Sequence, residues 1–176
     1  LIDHVHDLAL QIKRAPHPVR LKQIQTIETL IFEIEDETLY PLDYIVYRIT
    51  GYRSDGEDQP MLLGSALVGD LVATVAVVSH SLTIPAESAL TVEETAKSLG
   101  VSARTISRLR REGLPCRWVA ESTGRKRLGC VATTLQLFRE KHKERIGSAS
   151  GFSRLSQKER NELVNAAPVS YTTLTL

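Results

Sequence analysis

The sequence predicts a mainly α-helical protein that carries one small β-hairpin in its second half. Three observations lead to this prediction. Apolar residues recur every three or four positions over several long segments, which is the period of an amphipathic helix. Two helix-capping signals stand close together between residues 91 and 111. Two strand-like segments then follow, on either side of a turn at residues 122–126.

The composition is that of a soluble globular chain, with 42% hydrophobic and 24% charged residues among 176. This length suffices for one ordinary domain or two small ones. Because the chain opens on Leu1 instead of Met, we expect a fragment or a processed product. Nothing in it resembles a signal peptide, so a reducing cytoplasm is the expected location.

Charge is divided unevenly along the chain. Residues 1–90 hold 6 lysines and arginines against 13 acidic residues, a net charge of −7. Residues 91–160 hold 16 against 7, a net charge of +9. This asymmetry predicts an acidic module at residues 1–85 and a basic module at residues 88–146, the second of which faces a polyanion.

The acidic module is expected to be helical. A short helix over residues 2–15 and a longer amphipathic helix over residues 19–38 are separated by two prolines. Residues 42–52 fit a strand by propensity and a short helix by period, and Gly51 ends the element in either case.

The most apolar stretch is residues 61–82, MLLGSALVGDLVATVAVVSHSL. Its length would allow a membrane span, but Asp70 lies near its middle and no Lys or Arg flanks it closely. Gly64 and Gly69 weaken that interpretation further. We therefore expect a buried core helix and no membrane contact.

Two short helices joined by a tight turn are predicted at residues 91–111. Thr91 and Glu94 form a capping box at the start of the first helix. Gly100 supplies the left-handed residue that ends this helix, and Ser102 caps the second. The apolar residues of the second helix face the first helix, which leaves a basic outer face. This arrangement is a helix-turn-helix.

A wing and a closing helix complete this module. Residues 117–120 and 127–130 are expected to pair as a hairpin with a basic tip, and residues 131–142 to form a helix. Cys116 and Cys130 flank the hairpin and could approach each other. Two cysteines do not make a disulfide framework, and zinc would need a second pair of ligands, so we expect both to serve in packing.

The C-terminal region is expected to hold one more helix. Small residues at 147–151 form a joint, and Ser156 with Glu159 makes another capping box. The predicted helix lies within residues 152–167 and leads to a truncated end.

Cations on the outer face of the second helix and at the hairpin tip are the candidate functional groups. Double-stranded DNA carries about one negative charge per 1.7 Å, so a DNA-binding surface needs such cations. Arg104 and Arg108 are four residues apart and can face the same groove, where an Arg–guanine pair discriminates by about 1–3 kcal/mol. The candidate DNA-binding residues are Ser102, Arg104, Thr105, Ser107, Arg108, Arg111, Arg125, Lys126 and Arg127.

Other chemistries find little support. The arginines could be a merely solvated helix face, but matching charge on two neighbouring elements favours a common ligand. The sequence holds no Gly-rich phosphate loop, HExxH motif or serine elbow, so we expect no catalytic residue and no cofactor. His4 and His6 lack a third ligand at a suitable spacing, and they are interpreted as surface residues.

Two stretches of the chain resemble known families. TVEETAKSLGVSARTISRLRREGLP, the GRKR hairpin and the closing helix, residues 91–142, resemble the winged helix-turn-helix of the MerR/excisionase class. With TLYPLDYIVYRITGYR, GDL and FSRLSQKERNELV added, residues 30–165 look like the N-terminal portion of bacterial sigma-70-family RNA polymerase sigma factors. That resemblance implies promoter recognition and transcription initiation, with DNA and core RNA polymerase as partners, at the nucleoid.

Two rival interpretations stay open. The chain could be a stand-alone MerR/excisionase-type regulator, whose N-terminal helices serve for dimerisation or for effector binding. Alternatively, the winged fold could be a protein–protein adaptor that binds an acidic partner. Reversal of the charge at Arg104 and Arg108 would then abolish partner binding.

Overall fold

The computed structural model describes residues 3–53, 60–144 and 146, and in this part the chain is mainly helical with two small antiparallel sheets. The first half contains α1 (Asp3–Arg14), α2 (His17–Glu33), β1 (Leu39–Pro41), α3 (Leu42–Thr50), β2 (Met61–Leu63) and α4 (Gly64–Ser79). After a short 3-10 helix at Ala86–Ser88, the second half contains α5 (Val92–Leu99), α6 (Ala103–Arg111), β3 (Arg117–Ala120), β4 (Lys126–Gly129) and α7 (Ala132–Lys141).

The apolar helix α4 lies at the centre of the first half, as the sequence predicts, but it covers only Gly64–Ser79 of the predicted residues 61–82, and Met61–Leu63 form β2. It packs against α1 and α2, and Leu67, Leu71 and Val75 are fully buried along it. Thr74, also fully buried, donates its hydroxyl to the carbonyl oxygen of Asp70, so its polar group is satisfied within the helix. Among the described helices, none is both long enough and apolar enough to cross a membrane.

The predicted end of α2 at residue 38 is wrong, and a small sheet takes its place. The helix ends at Glu33, and Ile34 adopts an extended conformation with φ −74° and ψ 132°. After a turn, β1 pairs antiparallel with β2, with Tyr40 opposite Leu62. The two strands are separated by α3, so no local sequence pattern predicts that they pair.

The ambiguous segment at residues 42–52 is helical. Its α3 begins directly after Pro41 and ends at Gly51, whose φ of 80° is left-handed. Ile45 and Ile49 are buried on one face, which is the outcome that the 3.6-residue period predicts.

The start of α4 fits tightly against the turn that follows α2. The backbone N–H groups of Gly64 and Ser65 donate to the carbonyl oxygens of Thr38 and Asp36, at 2.8 and 2.9 Å. These bonds satisfy N–H groups that have no partner within the helix. A Cβ on Gly64 would lie 1.9 Å from the carbonyl oxygen of Glu35, so the turn can approach only a glycine.

The hairpin of β3 and β4 matches the prediction closely, with Arg117 opposite Gly129 and β4 shifted by one residue. Both cysteines are buried in an apolar cluster, as expected, but the bond between them was not predicted. Cys116 and Cys130 form a disulfide, with Cα atoms 4.5 Å apart. They stand next to the last strand pair at the base of the hairpin, where antiparallel register brings facing residues to this distance.

A buried ion pair joins the two predicted modules. Arg117 on β3 is bound in a bidentate manner by Glu28 on α2, with 2.8 Å between Nε and Oε1 and a second contact between Nη2 and Oε2. Both residues are only 5% exposed. The acidic and basic segments therefore share an interior, and Val119 of β3 belongs to the same apolar cluster as the core of α4.

A second link lies at the end of α2. The Nζ atom of Lys141 on α7 donates to the carbonyl oxygens of Phe32 and Ile34, at 3.2 and 2.6 Å. A cation at this position complements the unpaired carbonyls of a helix C-terminus. The helix predicted within residues 152–167 lies outside the described residues.

We predict that Gly64→Ala destabilises the protein by about 1–3 kcal/mol or more, because the new methyl group must displace backbone. Gly69→Ala on the same helix is the matched control, since a Cβ there meets nothing within 4 Å. It should stabilise by up to about 1 kcal/mol through helix propensity. Urea unfolding of both variants measures the difference, and equal effects would contradict the proposed close approach.

We predict that Glu28→Gln or Arg117→Met alone destabilises the fold by about 3–5 kcal/mol, because each leaves a buried charge without its partner. The double variant Glu28→Leu/Arg117→Met should recover much of this loss. The exposed pair Glu33–Arg48, at 2.6 Å, is the control, and its removal should cost less than about 1 kcal/mol. Double-mutant cycles in urea test both pairs.

Candidate nucleic-acid interface

The first helix of the candidate site, α5, begins with the predicted capping box. The backbone N–H of Glu94 donates to Thr91 Oγ1 at 3.0 Å, and the N–H of Thr91 donates to Glu94 Oε2 at 2.7 Å. In the second of these bonds a backbone N–H donates to the Glu94 carboxylate, and this stabilises its charged form. Together with the Thr91 hydroxyl, this backbone hydrogen bond lowers the pKa of Glu94 below its ordinary value.

The turn between α5 and α6 also has the predicted chemistry. Gly100 ends α5 with φ 68°, a left-handed conformation. Ser102 then caps α6: its Oγ atom accepts from the N–H of Thr105 at 3.2 Å and lies 2.9 Å from Thr105 Oγ1. Both hydroxyl groups therefore help to begin the helix.

The inner face of α6 is apolar and fixed. Ile106 and Leu109 are buried in one cluster with Ala96 and Leu99 of α5, and the disulfide and Phe138 of α7 complete this cluster. This packing confirms the predicted orientation of α6. Its outer residues are consequently held in a defined direction by a core that the sequence pattern specifies.

The outer face of α6 presents the predicted polar and basic residues. Five of the six candidates on this helix are exposed, and Thr105 is half-buried; the exposed ones are Ser102, Arg104, Ser107, Arg108 and Arg111. Arg108 Nε lies 3.7 Å from Glu112 Oε1, four residues further on. The Arg108 side chain of this pair is 60% exposed, so water screens the interaction strongly and the arginine can exchange it for another anion.

Arg110 lies at the edge of the outer face of α6, on the side that faces α4. It lies with Ser107 and Arg111 along a groove against α4, where Gly69 and Ala73 form the other wall. Its Nε atom is buried and meets no hydrogen-bond acceptor among the described residues. Burial also lowers the pKa of its guanidinium. Arg110 is therefore half-buried beside α4, in contrast to the exposed arginines of the outer face.

The three candidate residues of the hairpin do not act together. Arg125 is exposed beside the turn residue Gly124, whose φ is 80°. Lys126 donates its Nζ to the carbonyl oxygen of His80, and Arg127 donates Nη2 to the carbonyl oxygens of Ala86 and Ala89, both at 3.1 Å. The structure thus places one of the three cations at the hairpin tip and uses the other two to hold the hairpin against the body.

The sequence pattern does not distinguish basic residues that bind within the protein from those that are free to bind a ligand. Arg117 is paired with a residue 89 positions earlier, and Arg139 donates Nη2 to the carbonyl oxygen of Ser98 at 2.6 Å. No spacing rule could identify partners at such sequence separations. The sequence holds one weak signal for Arg117. It lies two residues before the apolar Val119, so in a strand both side chains point to the same inward face.

Comparisons of this chain with protein-family models, with curated proteins and with solved structures find no match. The assignment of a function therefore depends on the chemistry of the surfaces described above.

We predict that Glu94→Gln removes a pH-dependent part of the stability. The folded-state pKa of Glu94 is lowered, so the stabilisation is present above the unfolded-state value and is lost as the pH falls through the folded-state value. The melting temperature of the wild type should exceed that of the variant at neutral pH, and the difference should shrink in acid. Glu93→Gln, an exposed neighbour in the same turn, is the control. A gap that stays constant with pH would contradict the role of the carboxylate charge.

Proposed function

We propose that this protein binds double-stranded DNA through the outer face of α6, with α5, α6 and the β3–β4 hairpin acting as a winged helix-turn-helix. One observation carries the proposal. Three exposed arginines, Arg104, Arg108 and Arg111, lie on one side of a short helix whose opposite side is fixed in an apolar core. The two exposed serines beside them add short hydrogen-bonding groups that contact phosphates or base edges.

The dimensions of the helix suit this role. A helix with its side chains is about 10–12 Å across, and the major groove of B-DNA is about 12 Å wide. Arg104 and Arg108 follow each other by about one turn, so both can reach the floor of one groove. A guanidinium donates two parallel hydrogen bonds to guanine, whereas a lysine cannot form this fork.

The hairpin has a smaller part in this proposal than the sequence suggests. Arg125 alone of the three basic tip residues is exposed, while Lys126 and Arg127 donate to backbone carbonyl oxygens. We assign Arg125 to phosphate contact, which adds affinity and salt dependence but little selection among sequences.

The narrower proposal is a role in promoter recognition and transcription initiation. It rests on the resemblance of residues 30–165 to sigma-70-family factors, and core RNA polymerase is then the second partner. A direct test is whether the purified chain co-sediments with core RNA polymerase and changes where it initiates. Selective DNA binding without any effect on polymerase would favour the stand-alone regulator.

We predict that the protein selects particular sites from a pool of genomic DNA fragments and that Arg104→Ala/Arg108→Ala abolishes this selection. Loss of one bidentate contact should weaken binding to a selected site by about 5- to 150-fold, since each contributes about 1–3 kcal/mol. The selection is measured by sequencing the bound fraction at two salt concentrations. Arg125→Ala should lower affinity for all fragments alike and reduce the salt dependence by about one phosphate contact.

Two further variants keep this test discriminating. Arg104→Lys/Arg108→Lys retains the charge but loses the bidentate geometry, so it should bind DNA without selection. Arg14→Ala/Lys22→Ala removes the same charge from exposed positions on α1 and α2 and should change little. If the two alanine pairs reduce binding equally, the effect is one of net charge and the proposed reading helix is wrong.

A further inference from the structure

The ribbon that β1 and β2 form carries an exposed apolar surface. Its charged neighbours in the sequence are acidic, whereas those on α6 are basic. Antiparallel register places Leu39 opposite Leu63 and Pro41 opposite Met61, so these four side chains share one face. Leu39, Met61 and Leu63 are 56%, 52% and 45% exposed. Large side chains of this kind that are gathered on one ordered face are a feature of interaction surfaces.

The ribbon holds this face in a fixed position. Its inner face carries Tyr40 and Leu62, which pack against the main apolar cluster. Backbone hydrogen bonds anchor both ends, from Leu42 N–H to the carbonyl oxygen of Pro60 at 3.0 Å and from Gly64 N–H to that of Thr38 at 2.8 Å. Because the face is already ordered, binding of a ligand would lose little conformational entropy there.

The charges around the ribbon indicate the kind of partner. The exposed carboxylates Glu35, Asp36 and Glu37 lie two to four residues before β1, and Asp43 follows it by two residues. The sequence contains no Lys or Arg between Glu33 and Tyr47, or between Pro60 and Ser79, and Lys141 of α7 is a cation that donates to the Ile34 carbonyl oxygen just before the acidic group. Among the ion pairs that the described residues make, Arg48 neutralises Glu33, which lies before this group.

We propose that the outer face of the β1–β2 ribbon docks a second protein through a segment whose apolar side chains are flanked by lysine or arginine. Carboxylates beside the face disfavour nucleic acid and anionic lipid, and they attract a basic polypeptide. A symmetric pairing of two copies through this face would bring the two sets of carboxylates together. The surface is independent of α6, so it adds a second binding function to the proposed DNA contact.

The test uses fluorescein-labelled synthetic peptides and the full chain, with binding followed by fluorescence anisotropy. One peptide has leucines flanked by lysines, a second has the lysines replaced by glutamates, and a third has the leucines replaced by serines. The first should bind about tenfold more tightly than either of the others, which corresponds to about 1.4 kcal/mol. Its affinity should fall as salt is added, because the flanking charges are exposed.

Variants of the protein locate the binding. Leu39→Ser/Leu63→Ser should weaken the lysine-flanked peptide by about tenfold or more, and Asp36→Asn/Glu37→Gln should weaken it and flatten its salt dependence. Leu10→Ser/Leu137→Ser, at other exposed apolar positions on α1 and α7, is the control and should bind as the wild type does. Arg104→Ala/Arg108→Ala should also bind the peptide normally, which separates this inference from the DNA proposal.

Three results would overturn the inference. The first is equal binding of the lysine- and glutamate-flanked peptides. The second is unchanged binding by Leu39→Ser/Leu63→Ser when its melting temperature shows that it is folded. The third is a dimer in sedimentation equilibrium that this same variant abolishes, because the face would then belong to a second copy of the chain.

Discussion

The buried pair of Glu28 and Arg117 is the interaction on which the relation between the two halves depends. It joins a helix of the acidic segment to the first strand of the basic segment, and both charges are almost entirely removed from water. Such a pair contributes little net stability compared with a well-packed apolar contact, but its bidentate geometry constrains how the two elements can align. We infer that it sets the register between the hairpin and α2. The hairpin then takes its orientation from the core of the first half, whereas α6 is held by the cluster around Ile106.

This constraint explains why the positive charge of the second half cannot be equated with a binding surface. Arg117, Lys126, Arg127 and Lys141 each donate to oxygen atoms of the protein itself, and all four reach across to the first half or to the segment that follows it. The exposed cations of the second half include Arg104, Arg108 and Arg111 on α6 and Arg125 at the hairpin tip, together with Lys97 and Lys143. The net charge of the segment therefore overstates the number of cations that a ligand can contact. Under the proposed function, the arginines on α6 are the ones that make this contact.

Local signals predicted the fold wherever neighbouring residues determine it. The capping box at Thr91, the left-handed Gly100 and the hairpin at residues 117–130 all appear as expected, because each depends on contacts within a few positions. The β1–β2 ribbon and the Glu28–Arg117 pair escaped prediction because they join residues that are distant in sequence. The Cys116–Cys130 bond lies at the base of the predicted hairpin, where the sequence already allowed the two cysteines to approach each other, but two cysteines alone did not indicate a disulfide. For the same reason the exposed face of α6 could be predicted from its period, whereas the internal roles of Lys126 and Arg127 could not.

The structure also separates two kinds of surface that a single chain can offer at once. The face of α6 is cationic and polar, and a polyanion can approach it without burying apolar side chains. The face of the ribbon is apolar and lies among carboxylates, so a polyanion is repelled there and a basic polypeptide is attracted. Each face is held by a different set of core contacts, α6 by the cluster around Ile106 and the ribbon by Tyr40 and Leu62. Occupation of one face therefore need not disturb the other, so the two proposed functions, contact with a nucleic acid and docking of a second protein, are compatible.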